Sequence, residues 1–412
     1  MALIKPFKAL RPRKDIADKV AALPYDVMNV AEAREMASGN PYSFLHISRP
    51  EIEFPPETDY YSEPVYEKGR ENLENFCREG AMVRDPDEYY YVYRQKMGTI
   101  IQTGLVACAG VDDYMSGVIK KHELTRPDKE DDRFRHIDCL NANDEPVFYT
   151  YKSDPSINEI IAGVTSDKPE YDFTTDDKVT HSVWIIDKRE IIKKITTLFA
   201  SIPSLYVADG HHRSAAAGRV RELRRSENQN HTGKEEYNYF LTVIFPDNEL
   251  NIMPYNRVVR DLNGLTIAGF MTKISEKFSV VPVASSFAPS SHHQVGMYLD
   301  GKWYRLTPKQ GSFNENDAVE RLDVSILQDN LLSPVLGIRN PRTDQRIQFV
   351  GGIRGVEELE RLVDSGKHKV AFSLYRTSIV ELMELADAGK IMPPKSTWFE
   401  PKLRSGLFVH EL

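Results

Sequence analysis

The stretch that most constrains this chain is Leu205-Tyr206-Val207-Ala208-Asp209-Gly210-His211-His212-Arg213. Four apolar residues read as a short buried strand. After them Ala216, Val220 and Leu223 recur at helical spacing, with Arg219, Arg221 and Arg224 on other sides. The pattern is strand, sharp turn, helix, and Gly210 sits at the bend, where a missing Cβ permits tight backbone geometry. The turn carries a conflict. His211, His212 and Arg213 fall in the first helical turn, whose unpaired N–H groups already bear partial positive charge. Each cation there costs up to about 1 kcal/mol. Local rules broken together mark functional sites, and the missing partner here is an anion. Backbone N–H groups, an approachable glycine and an arginine fork suit phosphate. The plainer alternative has Asp209 capping the helix and pairing with Arg213.

Composition narrows the class. The 412 residues allow two or three domains, and 41% hydrophobic with 28% charged residues is ordinary for a globular protein. A formal net charge of −8 disfavours nucleic-acid binding, which rests on basic surface. No signal peptide and no run of about 18 apolar residues is found, so the expected location is the cytoplasm, without membrane contact. Cys77, Cys108 and Cys139 are odd in number and widely spaced, which argues against disulfides and cysteine zinc sites.

Strands are expected at Tyr89–Gln95 and Ile100–Val111, and again at Val147–Tyr151, Lys178–Ile186 and Tyr239–Phe245. Helices are expected at Val65–Glu79 and Lys188–Ser201. The Tyr89–Tyr93 aromatic run suits cross-strand packing better than base stacking. Beyond about residue 250 the texture changes. Antiparallel strands near Phe278–Val283, Val295–Leu299 and Trp303–Leu306 are joined in part by an Asp300-Gly301 hairpin turn, with helices at Val319–Leu332 and Val356–Asp364. The expected domains are 1–250 and 251–412.

Two further clusters carry candidate chemistry. In Lys120-Lys121-His122-Glu123-Leu124-Thr125-Arg126-Pro127-Asp128, Thr125 and Asp128 form a near-capping box and Pro127 suits a first helical turn. Arg126, Lys129 and Arg133 then share one helix face. The plain reading is a solvated, salt-bridged helix. In Met392-Pro393-Pro394-Lys395-Ser396-Thr397-Trp398-Phe399-Glu400-Pro401-Lys402, prolines stiffen a loop presenting Lys395. Tyr25 and Asp26, in Leu23-Pro24-Tyr25-Asp26-Val27, are weaker candidates for lining the site.

Gly210-His211-His212-Arg213 resembles the Gly-x-His-Arg phosphate loop of the ParB/sulfiredoxin-like fold, which free serine kinases share. The longer string resembles the Ala-Asp-Gly-His-His-Arg signature of domain-of-unknown-function family 1015, as do the 23–27, 118–133 and 393–402 clusters. The resemblance implies an α+β fold: a ParB/sulfiredoxin-like nucleotide-binding core elaborated by a second mixed α/β region whose C-terminal segment returns to the site. It implies a kinase moving phosphate from a nucleotide (ATP or ADP) to a small hydroxyl substrate such as free L-serine. A nucleotide-binding switch without a small-molecule acceptor is the alternative. Under the kinase reading Gly210, Ser214 and the helix N-terminus cradle phosphate, while His211, His212 and Arg213 neutralise transition-state charge. Arg126, Lys129, Arg133 and Lys395 hold the nucleotide or a substrate carboxylate. His122 and Glu123 are acid–base candidates, with Glu123 the first choice for base. Asp209 binds Mg2+ or acts as base. A tight zinc site from Asp209, His211 and His122 is less natural than magnesium carried on nucleotide phosphates. The resemblance leaves room for a homo-oligomer.

Overall fold

The computed structural model describes all 412 residues, Met1–Leu412. It is a mixed α/β protein whose chain divides into two compact units: residues 1–250 with 401–412, and residues 251–400.

The first unit is built on a nine-stranded sheet. Its strands, in chain order, are β1 (Ile4–Lys5), β2 (Tyr90–Met97), β3 (Ile100–Gly110), β4 (Ile119–Lys120), β5 (Val147–Tyr151), β6 (Tyr171–Thr174), β7 (Val179–Ile186), β8 (Leu205–Asp209) and β9 (Tyr239–Pro246). The spatial order is β4-β8-β5-β9-β3-β2-β7-β6, with β1 pairing β3. β2 and β3 form an antiparallel hairpin with Met97 opposite Ile100, as their apolar runs and the intervening glycine predict. The tyrosines of β2 are packing residues. Tyr90, Tyr91 and Tyr93 are fully buried, and their hydroxyls reach Thr196, Asp85 and His181. Such burial leaves no face for a base to stack on.

Three helices matter for the site: α1 (Glu63–Arg78), α2 (Pro127–Leu140) and α3 (His211–Glu227). The core between sheet and helices includes Val147, Tyr149, Val207, Phe240, Ile244 and, from α3, Ala217. The Thr125–Asp128 capping box does not form: α2 is capped by Arg126 without a side-chain bond, and the Thr125 hydroxyl donates to Glu130. The shared basic face on α2 is also corrected. Arg126 is exposed and Lys129 half-buried, whereas Arg133 is buried, because α2 rolls its apolar side and Arg133 together against the unit's interior.

The last twelve residues belong to this first unit. They bridge Ser405 to Ala22, Val409 to Leu10 and His410 to Asn143.

The second unit has a six-stranded antiparallel sheet of β10 (Tyr255–Val259), β11 (Phe278–Val283), β12 (Val295–Leu299), β13 (Lys302–Pro308), β14 (Ile347–Gly351) and β15 (Val370–Leu374), ordered β11-β13-β12-β15-β10-β14. Asp300 and Gly301, both at positive φ, make the two-residue β12–β13 hairpin turn that their sequence demands. The helix expected from Val319 begins only at Asp323.

Candidate functional site

The site grows out of the end of β8. This strand pairs β4 in parallel, Leu205 with Ile119 and Tyr206 with Lys120. That register carries the loop after β4, holding His122 and Glu123, alongside the residues that lead into α3. On its other edge β8 pairs β5, with a register shift between Val207 and Asp209. A bulge of this kind re-aims the side chain beyond it, here Asp209 at the mouth of the helix.

Gly210 takes φ +93°, a left-handed conformation that costs glycine nothing, and α3 opens on it without any side-chain cap. The plainer alternative for Asp209 is therefore not what forms. Its carboxylate accepts the Gly210 N–H at 2.9 Å and pairs with Lys402 Nζ at 2.9 Å. Burial opposes its charge, but Lys402 and Arg213 hold the carboxyl well below the usual range.

On one side of the helix opening lie Arg213 and His212. Arg213 is buried, its Nη1 donating to the Pro146 carbonyl at 2.6 Å while its Nε has no partner. An orphaned buried donor of this kind costs about 1–3 kcal/mol. Burial works against the guanidinium's charge, yet Glu145, Asp26 and Asp209 keep it above its ordinary range. Glu145 accepts from Tyr25 N–H and from the Ser405 hydroxyl, both at 3.0 Å, and leaves Oε2 without a partner. Burial pushes the Glu145 carboxyl up, with Arg213 and Arg133 acting against that. Arg133 pairs with Asp132 at 2.9 Å and stacks 4.1 Å above the Tyr25 ring. A cavity with room for about one water separates Arg133, Asp144, Glu145 and Arg213. His212 is half-buried, and its Nε2 accepts the Arg126 N–H at 3.0 Å. Exposed Asp26 faces both His212 and Arg213 electrostatically.

On the other side lie His211, His122 and Glu123. The two imidazoles meet edge to face, 4.5 Å between centroids at 87°, and both are buried. His211 Nε2 has no hydrogen-bond partner, and neither ring nitrogen of His122 makes a bond of good geometry. Burial, then the neighbouring His122, drives His211 far below its ordinary range; burial takes His122 down to about 4, with Asp209 partly offsetting it. Burial also lowers His212. The sequence reading that counts these imidazoles as cations is therefore corrected. His211 and His212 are both uncharged near neutral pH, and Arg213 alone brings positive charge into the first turn of α3.

The remaining sequence candidates are placed as follows. Ser214 is buried with its hydroxyl shared between Tyr149 at 2.9 Å and the Gly210 carbonyl at 3.2 Å. Arg126 is forked onto Asp128, and Lys129 donates to the Tyr61 hydroxyl at 3.1 Å. Lys395 belongs to the second unit, at positive φ, with its ammonium 5.6 Å from the Tyr255 ring centroid and its carbonyl accepting from Arg257. Sequence reasoning passed over Glu145 and Lys402. The Asp144-Glu145-Pro146 acids directly ahead of an apolar strand were the available signal for the first.

Residues 4–325 match the family described as "Protein of unknown function (DUF1015)". The chain belongs to this family. No protein of curated function matches the sequence. Solved structures similar to this family member include a free serine kinase in complex with AMP, 12% identical, covering 72% of this chain and 86% of that one at a TM-score of 0.36. A conserved hypothetical protein from Pyrococcus furiosus is 12% identical and covers 73% and 93% at 0.36. SbnI with a C-terminal truncation, from Staphylococcus aureus, is 9% identical and covers 73% and 85% at 0.39. No helix of this family member is long and apolar enough to cross a membrane.

Proposed function

We propose that this protein is a nucleotide-dependent phosphotransferase acting on a small hydroxyl substrate, with free L-serine the first acceptor to test. One observation carries the reading: α3 opens on a left-handed glycine with no side-chain cap, and the buried Arg213 beneath it keeps an unpartnered Nε. Uncapped N–H groups and a guanidinium together suit a phosphoryl group. The Gly-x-His-Arg resemblance at 210–213 supports the same assignment.

In this reading the α3 N-terminus and Arg213 stabilise charge on the transferred group. His211 and His212, uncharged, act as hydrogen-bonding groups and not as countercharges. The acceptor oxygen attacks the terminal phosphorus of ATP or ADP, the bond to the bridging oxygen breaks, and the hydroxyl proton passes to a carboxylate. Two are candidates for that role: Glu123, half-buried beside His211, and Asp26, exposed beside His212 and Arg213. Asp209 is the residue that would meet Mg2+ carried on the nucleotide phosphates, whose charge the ion spreads.

The test is phosphorus NMR of protein incubated with ATP, ADP or CTP and Mg2+, with and without serine. A phosphomonoester that appears only with the acceptor supports the proposal. Hydrolysis indifferent to acceptor, or binding without turnover, replaces it with a nucleotide-dependent switch.

A further inference from the structure

His122, Glu123 and His211 each offer a ligand atom, and these atoms lie within 4.8 Å of one another. We infer that they form a binding site for a divalent first-row transition-metal ion such as zinc. The site rests on the first unit's geometry and stands whether or not phosphate is transferred.

Three observations carry it. First, the donor set is two imidazoles and one carboxylate, the composition that suits borderline metal ions and leaves a coordination position open. Magnesium, which prefers oxygen ligands, is a poor match. Second, both imidazoles are buried and His211 Nε2 has nothing to bond, although buried polar atoms almost always find partners. Third, an outer layer is in place. The Val207 carbonyl lies against His122, and the Asp209 charge acts on both rings. Ligating histidines usually turn their other N–H toward such a carbonyl or carboxylate. Lys121 is the ammonium that acts on His211, while Lys402 is paired with Asp209.

Metal–nitrogen distances of about 2.0–2.1 Å put tetrahedral ligands roughly 3.3 Å apart, so separations of up to 4.8 Å close by at most about 1.5 Å on binding. His122 and Glu123 sit in an irregular loop, where such a shift is easily absorbed. With one oxygen on the metal Glu123 becomes a weaker base, and Asp26 is the better placed to receive the acceptor proton of the proposed reaction.

The test uses the full chain, stripped with EDTA and titrated with Zn2+ and with Co2+ in the absence of nucleotide. One ion per chain is expected, with Kd below about 1 µM, and X-ray absorption of the zinc form should show two imidazoles and one carboxylate oxygen. His122→Gln and His211→Gln should each weaken binding at least about 100-fold with unchanged circular dichroism, the upper end of what loss of even an outer partner does. Should either variant misfold, the wild-type absorption spectrum decides. No stoichiometric binding, a zinc spectrum without two imidazoles, or full affinity in folded variants overturns the inference. Stoichiometric metal in a protein that transfers no phosphate leaves the site standing and rejects only the reaction.

Discussion

Lys402 Nζ lies 2.9 Å from a carboxylate oxygen of Asp209, across 193 residues of sequence. The contact ties the returning C-terminal segment of the first unit to the residue at the opening of α3. Lys402 is mostly covered, while the Asp209 side chain is 29% exposed.

Lys402→Met should therefore destabilise the protein by about 1–3 kcal/mol, less than the 3–5 kcal/mol of a fully enclosed pair. The sign with pH follows from the depressed Asp209 carboxyl. Its contribution is complete above the ordinary carboxylate range near 3.9 and disappears as pH falls through the lowered native value. Urea denaturation at pH 7 and at successively lower pH should show wild type and variant converging in acid.

Gly210→Ala forces an L side chain into φ +93°, with its Cβ 3.1 Å from Arg213 Nε and from Val147 Cγ1. The left-handed penalty alone is about 1–2 kcal/mol. A thermal melt should show the loss, and nucleotide affinity by calorimetry should fall with it, since the new methyl displaces Arg213.

Arg213→Ala should lower transfer roughly 10²–10³-fold, the scale for one preorganised charge-stabilising donor. Asp26→Asn should cut kcat comparably while changing nucleotide affinity less than about threefold, because a base acts on the acceptor and not on the donor. Steady-state kinetics beside equilibrium binding separates the two effects. If Asp26→Asn transfers normally and Glu123→Gln does not, the proton goes to Glu123.

His181 gives a pH signature away from the site. It is fully buried, with Tyr93 Oη 2.7 Å from Nδ1 and Arg404 donating to Nε2 at 3.3 Å. Burial, then the Arg404 cation, push it down to about 3. The unfolded chain therefore binds a proton below pH 6.5 that the native state refuses, and stability falls with acid at up to about 1.4 kcal/mol per pH unit. His181→Gln should flatten the slope between pH 6.5 and 5 in urea titrations.

Local rules made several elements readable from the residues. The hairpin of β2 and β3 follows from two apolar runs around a glycine turn, and the Asp300-Gly301 turn from the residue types that accept positive φ. The Thr125 capping box failed because Thr125 found Glu130 instead, a choice made by the path of the loop and invisible in residue spacing.

What the chain determined by itself is the strand, glycine bend and helix at 205–213, since an unbroken apolar run, helical period and the missing Cβ act within a few residues. Tertiary structure decided the charge state and company of the side chains there. Burial makes His211 neutral, Glu145 stands against Arg213, and the parallel register of β8 with β4 brings His122 to His211. Desolvation and long-range pairing depend on which segments enclose a residue, and no local pattern of residues encodes that.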